Sequence, residues 1–474
     1  MVKIVDNIKT ATMAQITTQA LKILPKASDE NLIRLISMFE VFMREDIRAK
    51  AQELKTQIKN KHTSIQLIRR VGNELCPNCR DKLIKNLMIN AIIKGGKIRE
   101  RIEKEEGWMP PFFLVISPTM RCNLRCVGCY AGEYTQKDDM SIELLDRILN
   151  EAKELGMYFV TISGGEPFIR KDILEIFRKH NDMYFQVYTN GQLINEELAK
   201  KLAELGNVTP AISVEGFEKE TDARRGDGVY HNVLKAMDNL KKYGVMFGFS
   251  ATPTKLNSDI LCSDKFVDFY IKKGCSIGWY FQYIPIGKKP DINLMSTPEQ
   301  RNRLRERIKE MRKTKVLFFG DFWNDGPYVG GCMAGARRYF HIVSSGDVEP
   351  CVFMHFAVDN IKDKSLREAI NSPFFKKIRS LQPYCESKNL LTPCGIIDNP
   401  YVLRQAVEEH GAKPTHPGSD TIVKDPKIKK HLDDYSKEIH KLTEKVWEKD
   451  YKKEKDFWFG EKGQHECVRL KNQK

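Results

Sequence analysis

No uninterrupted apolar stretch in this sequence reaches the ~18–20 residues that a membrane-spanning helix needs. The N-terminal residues MVKIVDNIKTATMAQ also lack the compact apolar segment of a secretory signal. No long segment is polar enough to be assigned as disordered, since 41% of the residues are apolar and 30% are charged. These absences favour a globular protein, and we expect it to be cytoplasmic.

Acidic residues are outnumbered, because 63 Asp and Glu stand against 78 Lys and Arg and give a net charge of +15. A basic surface can attract nucleic acid, an anionic membrane, an acidic substrate or an acidic redox partner, or it can simply keep the protein soluble. The sequence lacks a platform of interleaved aromatic and basic residues, which disfavours nucleic acid as a partner.

Between about residues 112 and 290 the sequence repeats one unit, which consists of an amphipathic stretch, a glycine and a short apolar strand. Glycine ends a helix in the left-handed conformation without steric cost, so each unit indicates a helix, a stop and a strand. With FFLVIS at 112–117 and YFQVY at 184–188 the count reaches six strands, rich in the β-branched and aromatic residues of buried parallel strands. The pattern predicts a partial (β/α)6 TIM-like barrel, with chemistry on the loops that follow the strands. The glycines of the repeated units are Gly156, Gly206, Gly244 and Gly274.

The predicted fold class is α/β, and the regions on either side of the barrel differ from it in character. Residues 1–107 have helical apolar spacing at 32–43 and 83–93 and show no strand signal. After about residue 330 short segments and cysteines follow, and a run dense in Lys and Glu with spaced apolar residues at 425–456 predicts a long surface helix. We therefore predict an α-helical N-terminal region at 1–110, the barrel at 111–320, a small cysteine-bearing extension at 321–400 and a helical C-terminal tail at 401–474.

Three of the 12 cysteines stand on the loop after the first predicted strand. Reducing compartments keep thiols free, so metal ligation or catalysis explains the cysteines better than disulfides do. Cys122, Cys126 and Cys129 form a C-x3-C-x2-C triad, and three thiolates this close can hold three irons of one [4Fe–4S] cluster. The fourth iron would lack a protein ligand, and an open position distinguishes a reactive metal centre from a structural one. For the triad taken alone, a zinc knuckle or a redox thiol set is the alternative.

This loop, with Tyr130 directly after its third cysteine, resembles that of the radical S-adenosylmethionine superfamily. The resemblance implies that the methionine amine and carboxylate of S-adenosylmethionine chelate the open iron. An electron from the reduced cluster then splits the sulfonium bond, and the resulting 5′-deoxyadenosyl radical abstracts a hydrogen atom from a substrate. The triad cysteines are therefore expected to be catalytic.

Later loops of the barrel carry motifs that the same resemblance assigns to the cofactor. SGGEP follows the second strand and matches the family's motif for the methionine amine, and its paired glycines let the backbone approach a ligand closely. ARRGDG follows the fourth strand, and Arg225 is similar to the arginine that pairs with the cofactor's carboxylate. For Arg224 and Arg225 the alternative is two solvated arginines in a loop. The implied cofactor-binding residues are Tyr130, Gly164, Gly165, Glu166, Pro167, Asn190, Ser213, Glu215, Arg225 and Ser250.

A second cysteine set is similar to the SPASM extension of many radical enzymes. Lys388 and Asp398 stand where that extension has further cysteines, so the full seven-cysteine pattern is absent. We therefore expect one auxiliary iron–sulfur cluster of SPASM or twitch type, with a zinc site from the same residues as the alternative. Its expected ligands are Cys332, Cys351, Cys385 and Cys394.

The remaining candidates carry weaker signals. Cys76 and Cys79 form a two-ligand hook without an evident second pair. Cys262 and Cys275 fit buried small hydrophobic positions. Gln282, after the sixth strand, either faces the substrate or lines the barrel, and the same alternatives hold for Tyr283.

The resemblance implies a radical enzyme that acts on a peptide or protein, because SPASM-bearing relatives often modify ribosomally made peptides. The first alternative is a lipid or isoprenoid chain at a membrane surface, where an apolar helical N-terminus and positive charge would give peripheral membrane association. The second alternative is a non-catalytic iron–sulfur electron carrier or sensor. The expected electron donor is an acidic flavodoxin or ferredoxin of low potential, since complementary charge speeds encounter.

Overall fold

The computed structural model describes residues 27–40, 45–131, 139–287, 289–384 and 388–451. The strands of its main sheet are β1 Phe113–Ile116, β2 Phe159–Ile162, β3 Tyr184–Thr189, β4 Val208–Val214, β5 Gly248–Ala251, β6 Ile277–Tyr280, β7 Phe318–Asp321, β8 His341–Ile342 and β9 Val348–Glu349. Their order across the sheet is β7-β6-β5-β4-β3-β2-β1-β8-β9. A separate antiparallel pair consists of β10 Phe356–Ala357 and β11 Lys413–Pro414.

Strands β1 to β7 pair in sequence order and all run parallel. Helices connect them, which confirms the predicted α/β fold with the largely parallel sheet of a partial barrel. On its other side β1 pairs in parallel with β8, and β9 runs antiparallel to β8. The cysteine-bearing extension therefore continues the sheet of the barrel.

The helices connect these strands and cover the barrel. Two π-helical segments, Leu83–Lys94 and Trp447–Tyr451, and two short 3-10 segments, Pro167–Ile169 and Ile292–Leu294, accompany them. The α-helices are α1 Asp29–Glu40, α2 Glu45–Lys59, α3 Thr63–Glu74, α4 Pro77–Lys82, α5 Gly95–Glu106, α6 Ile142–Glu154, α7 Ile173–Lys179, α8 Glu196–Leu205, α9 Glu218–Arg225, α10 Val229–Lys242, α11 Ser258–Leu261, α12 Asp264–Lys273, α13 Pro298–Thr314, α14 Gly326–Val329, α15 Leu366–Ile370, α16 Pro373–Ser380, α17 Tyr401–His410, α18 Thr421–Lys424 and α19 Pro426–Val446.

The seventh parallel strand, β7, goes beyond the six strands that the sequence predicts. The repeated units end each helix at a glycine, as α8 does at Gly206 with φ 72°. Helix α13 instead ends at Lys315 in an extended conformation with φ −106° and ψ 137°, so the glycine signal is missing. Strand β7 ends at Asp321, one residue beyond the predicted barrel limit, and the domain boundaries themselves stay predictions.

The N-terminal helices lie below the barrel, at the end where its strands begin. The π-helix Leu83–Lys94 packs under β2 and β3, and Asn86 Nδ2 donates to the Met183 carbonyl at 2.8 Å. Helix α3 lies under β6, where Arg70 Nη2 donates to the Cys275 carbonyl at 2.6 Å. The described residues 27–112 contain no strand, in agreement with the sequence pattern.

The apolar stretch 32–43 belongs to a small core of its own. Leu32 of α1 is buried together with Ile58 and Ile65, and residues 41–43 lie outside the described residues. The described face of this helix is therefore used for packing within the N-terminal region.

Helix α19 lies within the predicted long surface helix at 425–456, and it is amphipathic. Ile428, Leu432, Tyr435 and Ile439 recur at helical spacing and are buried, so one face packs against the protein. Residues 452–474 lie outside the described residues. Among the described helices, none is long and apolar enough to cross a membrane.

Candidate active site

The cysteine triad lies on the loop that follows β1, at the end of the barrel where parallel-strand chemistry is expected. Cys122, Cys126 and Cys129 border a single cavity of about 1720 Å³ that extends through the barrel. Cys122 and Cys126 are half-buried, while Cys129 is exposed. Burial raises the pKa of the Cys122 and Cys126 thiols. The loop thus presents three thiols to one internal space.

Gly164 and Gly165 allow the cysteine loop to pack directly on the loop after β2. A Cβ atom on Gly164 would lie 2.2 Å from the Thr119 carbonyl oxygen, and one on Gly165 would lie 2.1 Å from the Arg121 carbonyl oxygen. In the structure the Gly165 N–H donates to the Thr119 carbonyl at 3.0 Å. The paired glycines therefore position the triad, in addition to any contact with a cofactor.

Glu166 joins the loops after β2 and β3 from a fully buried position. Its carboxylate accepts hydrogen bonds from the Asn190 N–H at 2.7 Å and from Thr189 Oγ1 at 2.9 Å. Burial raises the pKa of this carboxyl group to about 7, although these hydrogen bonds oppose the shift. The Glu166 side chain is thus engaged within the protein, and the adjacent Pro167 begins a short 3-10 turn.

Two side chains connect the triad loop to its surroundings. Asn190 Nδ2 donates to Asn123 Oδ1 at 2.7 Å and lies 3.7 Å from Cys122 Sγ. The Tyr130 hydroxyl lies 3.0 Å from Ser163 Oγ, and the Tyr130 ring stacks on His355 with a centroid distance of 6.0 Å. Tyr130 therefore bridges the triad loop and the C-terminal extension.

Arg224 and Arg225 stand at the end of helix α9, so their interpretation as solvated loop residues is wrong. Arg225 Nη2 lies 2.5 Å and Arg224 Nη1 lies 2.6 Å from the same Glu215 oxygen, Oε1. Within the described residues the other oxygen, Glu215 Oε2, is buried without a hydrogen-bond partner. Ser213 and Ser250 are register partners on β4 and β5 and border the same cavity. Gln282 and Tyr283 border it as well.

The three thiols of the triad are not arranged around a site for a single metal ion. Among the described residues, no three His, Cys, Asp or Glu side chains converge on one point as a mononuclear site requires. In a [4Fe–4S] cluster each thiolate binds a different iron, so its ligands are spread around the cluster. The unpartnered Glu215 Oε2 is buried behind Arg224 and Arg225, which border the cavity.

The auxiliary cysteines lie around two buried tyrosines of the C-terminal extension. The Tyr339 hydroxyl lies 2.9 Å from Cys351 Sγ, and burial raises the pKa of the Cys351 thiol to about 12. The pKa values of Cys332 and Cys394 are also raised by burial, and Tyr384 contacts Cys332. Cys385, the fourth expected ligand, lies outside the described residues.

Asp398, which replaces an expected cysteine of the extension, has a structural role instead. Its carboxylate oxygens lie 2.5 Å and 3.1 Å from the guanidinium of Arg301, and both side chains are fully buried. Asp398 Oδ2 also accepts from the Cys394 N–H at 3.0 Å. This ion pair holds helix α13 against the segment that carries Cys394.

A buried network beneath the triad loop was not among the sequence candidates. His341 lies 2.7 Å from Ser117 Oγ and 2.6 Å from Glu349 Oε2, and Glu349 also contacts His355. Burial alone would raise the pKa of Glu349, but the neighbouring His355 and the hydrogen bond from His341 lower it to about 2. His341, Glu349 and His355 are close in sequence but match no known metal or catalytic spacing. Their partner Ser117 is 224 residues away from His341, so no sequence motif indicates the network.

The remaining cysteines are placed by the fold. Cys262 and Cys275 are buried, as predicted. Cys76 Sγ accepts from the Cys79 N–H at 3.5 Å and caps the short helix α4. Among the described residues this pair has no third ligand.

Comparison with known proteins gives matches to both cysteine-bearing regions. The family model of the radical SAM superfamily matches residues 116–254, and that of the SPASM iron–sulfur cluster-binding domain matches residues 332–395. Among curated proteins, Fe-coproporphyrin III synthase of Methanosarcina barkeri is 33% identical over 149 residues, which are 30% of this chain and only 37% of the relative.

Two further relatives match over more of their own length. The uncharacterized protein MJ0907 of Methanocaldococcus jannaschii is 32% identical over 41% of this chain and 70% of its own. The mycofactocin maturase MftC of Mycolicibacterium smegmatis is 28% identical over 62% of this chain and 78% of its own. Among solved structures, Streptococcus suis SuiB bound to its precursor peptide SuiA superposes with a TM-score of 0.54 at 22% identity, over 70% of this chain and 80% of SuiB.

Proposed function

Because this chain belongs to the radical S-adenosylmethionine superfamily and carries a SPASM iron–sulfur cluster-binding domain, we propose that Cys122, Cys126 and Cys129 hold its catalytic [4Fe–4S] cluster. The protein is an enzyme, and its cofactors are this cluster, S-adenosylmethionine and a SPASM auxiliary iron–sulfur cluster. When bound, the cluster and S-adenosylmethionine supply a 5′-deoxyadenosyl radical that abstracts a hydrogen atom from the substrate. The observation that carries the assignment is that all three thiols border one cavity inside the barrel.

Residues around the triad position it and bind the cofactor. Gly164 and Gly165 hold the cysteine loop in place through their close packing on it. Arg225 binds the cofactor's carboxylate, while Glu215 orients the guanidinium through its Oε1 atom. Tyr130, Asn190, Ser213 and Ser250 complete the binding surface, and Glu166 and Pro167 fix the glycine loop.

We assign the auxiliary cluster to Cys332, Cys351, Cys385 and Cys394. Four thiolates satisfy all four irons of a [4Fe–4S] cluster, which leaves no open position for a substrate. Asp398 is committed to Arg301, so it does not serve as a further ligand. A fully ligated and enclosed cluster suits electron transfer to or from the barrel.

The net charge of +15 supports an acidic low-potential protein, a flavodoxin or ferredoxin, as the donor of the electron that reduces the catalytic cluster. Complementary charges accelerate encounter, and salt screens them. Reduction of the cluster by flavodoxin should therefore slow as ionic strength rises. Rates that stay flat across ionic strength would contradict this partner.

Two substrate classes remain from the sequence. The SuiB structure with a bound precursor peptide supports a peptide substrate. The lining of the cavity in this chain instead supports an apolar substrate, such as a lipid or isoprenoid chain. An enzyme that acts on such a substrate would associate peripherally with the membrane.

Formation of 5′-deoxyadenosine tests the proposed function. The anaerobically reconstituted protein, reduced with dithionite and given S-adenosylmethionine, should form it, whereas Cys122→Ala/Cys126→Ala/Cys129→Ala should form none. Cys262→Ala is the matched control, because this buried thiol lies in the barrel but outside both cysteine sets. Wild-type protein with an intact cluster that forms no product would favour the non-catalytic electron carrier.

A further inference from the structure

The cavity that borders the triad continues to the opposite end of the barrel. Its upper part is bordered by the cysteine loop, and Val127, which is 54% exposed, marks an opening there. Its lower part reaches helix α3 and the π-helix Leu83–Lys94, which lie under the strands. The internal space therefore spans the barrel and the helical layer beneath it.

The lower half of the cavity has a largely apolar lining, in which Arg80, Tyr184 and Ser276 are the polar members. The parallel strands satisfy their own backbone groups, so side chains determine its polarity. Side chains from the barrel floor and the helices below it form this lining, among them Leu67, Val71, Leu83, Leu87, Phe113 and Phe159.

A second opening lies at the lower end. Ile68 of α3, Met88 and Ile92 of the π-helix and Phe318 of β7 all border the cavity, and they are 39%, 36%, 49% and 52% exposed. Large apolar side chains at a cavity mouth are typical of entry sites for apolar ligands. The π-helical geometry, which is rare and occurs mainly at functional sites, extends along one side of this mouth.

The middle of the cavity is polar on one wall and aromatic on the other. Gln186 of β3 lies in register with Thr161 of β2 and Thr209 of β4. Gln186 is only 4% exposed, and its Nε2 atom has no hydrogen-bond partner among the described residues. Trp279 and Phe281 stack opposite with a centroid distance of 5.9 Å. An unpartnered donor in a buried wall indicates a ligand that carries an acceptor.

Building on the proposed function, we infer that the substrate is an amphiphile that enters head first through the lower opening. Its oxygen-bearing head accepts a hydrogen bond from Gln186 Nε2, and its hydrocarbon tail fills the lower half of the cavity. A peptide backbone in that half would bury amide groups without partners, at a cost in free energy that a hydrocarbon chain does not incur.

The dimensions of the lower half agree with a lipid tail. Two strand residues separate Gln186 from the start of β3, which corresponds to ~7 Å. The helical layer beneath adds about 10 Å. The sum is close to the ~15 Å that one leaflet contributes to the hydrocarbon core of a membrane.

Binding of saturated carboxylic acids of different length tests the inference. Decanoate, dodecanoate and tetradecanoate are titrated into the reconstituted holoenzyme below their aggregation concentrations, with S-adenosylmethionine present and no reductant. Each buried methylene should tighten binding roughly fourfold, which gives about 200-fold between the shortest and the longest acid. Affinities that do not depend on chain length would overturn the inference and favour a peptide.

Three variants test binding of the hydrocarbon tail in the lower half of the cavity (the tail site) separately from binding of the head at Gln186 (the head site). Met88→Glu/Ile92→Glu places charge at the mouth and should weaken tetradecanoate binding at least about tenfold. Gln186→Leu should weaken all three acids by a similar factor, about fivefold, and leave the dependence on chain length unchanged. Leu256→Glu is the matched control, because Leu256 is 78% exposed and does not border the cavity, and it should bind as wild type does.

The mouth variants replace partly exposed side chains, and the absorbance of the clusters reports whether the protein is intact. Wild-type affinity of an intact Met88→Glu/Ile92→Glu protein would overturn the tail site. Binding is measured without a reductant, so it does not depend on cleavage of S-adenosylmethionine. A failure of the acids to bind would leave the result of the 5′-deoxyadenosine assay standing, and a failure to form 5′-deoxyadenosine would leave the binding result standing.

Discussion

The two cysteine sets of this molecule lie in contrasting surroundings. Cys122, Cys126 and Cys129 border the large cavity, and Cys129 is exposed. Among the described residues of the extension, Met333 and Val352 border that cavity, but the neighbouring cysteines do not. The auxiliary thiols instead face tyrosine side chains and backbone N–H groups.

The contrast indicates that the two cysteine sites have different functions. A reactive metal centre keeps a coordination position that a ligand can reach, as the cavity beside the triad allows. An enclosed cluster is tuned by burial and by hydrogen bonds to its sulfur ligands, which suits electron transfer. The access of the triad depends on close packing of its loop, while the enclosure of the auxiliary site depends on buried polar contacts.

The largest expected effect comes from displacement of the triad loop. Gly165→Ala places a Cβ atom 2.1 Å from the backbone oxygen of Arg121, so the loop must shift. A misplacement of this kind should lower the rate of 5′-deoxyadenosine formation by about 100-fold.

Gly96→Ala is the control for this change, because its nearest neighbouring atom would lie 3.8 Å away and the residue is helical. Equal rates for Gly165→Ala and wild type would show that tight packing does not determine the access of the triad.

A stability change tests the enclosure of the auxiliary site. Arg301→Met leaves the buried carboxylate of Asp398 without its partner and should lower the free energy of unfolding by roughly 3–5 kcal/mol, measured by urea denaturation. Arg303→Met on the same helix removes an exposed ion pair and should cost no more than about 1 kcal/mol. Similar losses for both variants would mean that the Arg301 pair has no special role. Asp398→Cys should destabilise the protein in the same way and add no iron.

A smaller effect is expected on the potential of the auxiliary cluster. Tyr339→Phe removes the hydroxyl group at 2.9 Å from Cys351 Sγ. Hydrogen bonds to a cluster sulfur favour the reduced state, so the potential should fall by about 40 mV, as measured by redox titration. The potential of the triad cluster should not change, and a shift in both clusters would contradict the separation of the sites.

Much of this architecture follows from local sequence signals. The glycine stops at Gly206 and Gly274 define βα units, and the triad spacing indicates the loop that we propose to be catalytic. Strand β7 is not predicted, because the preceding helix ends at Lys315 and not at a glycine. Helix α19 is predictable, because apolar residues recur at helical spacing between its Lys and Glu residues.

Partners across the fold are harder to predict than the motifs themselves. SGGEP is evident from sequence, but the packing of Gly165 on the Arg121 backbone depends on where two loops meet. The pairing of Asp398 with Arg301 joins positions far apart in the chain. The cavity is formed by side chains of many helices and strands, so no single segment of the sequence predicts it.

Electron paramagnetic resonance of the dithionite-reduced enzyme, recorded with and without S-adenosylmethionine, tests the contrast between the two sites most directly. We expect two cluster signals, of which only the one abolished by Cys122→Ala/Cys126→Ala/Cys129→Ala changes when the cofactor is added. A cofactor-dependent change in the signal that survives in this variant would contradict the assignment of the triad, because the auxiliary cluster would then be the open site.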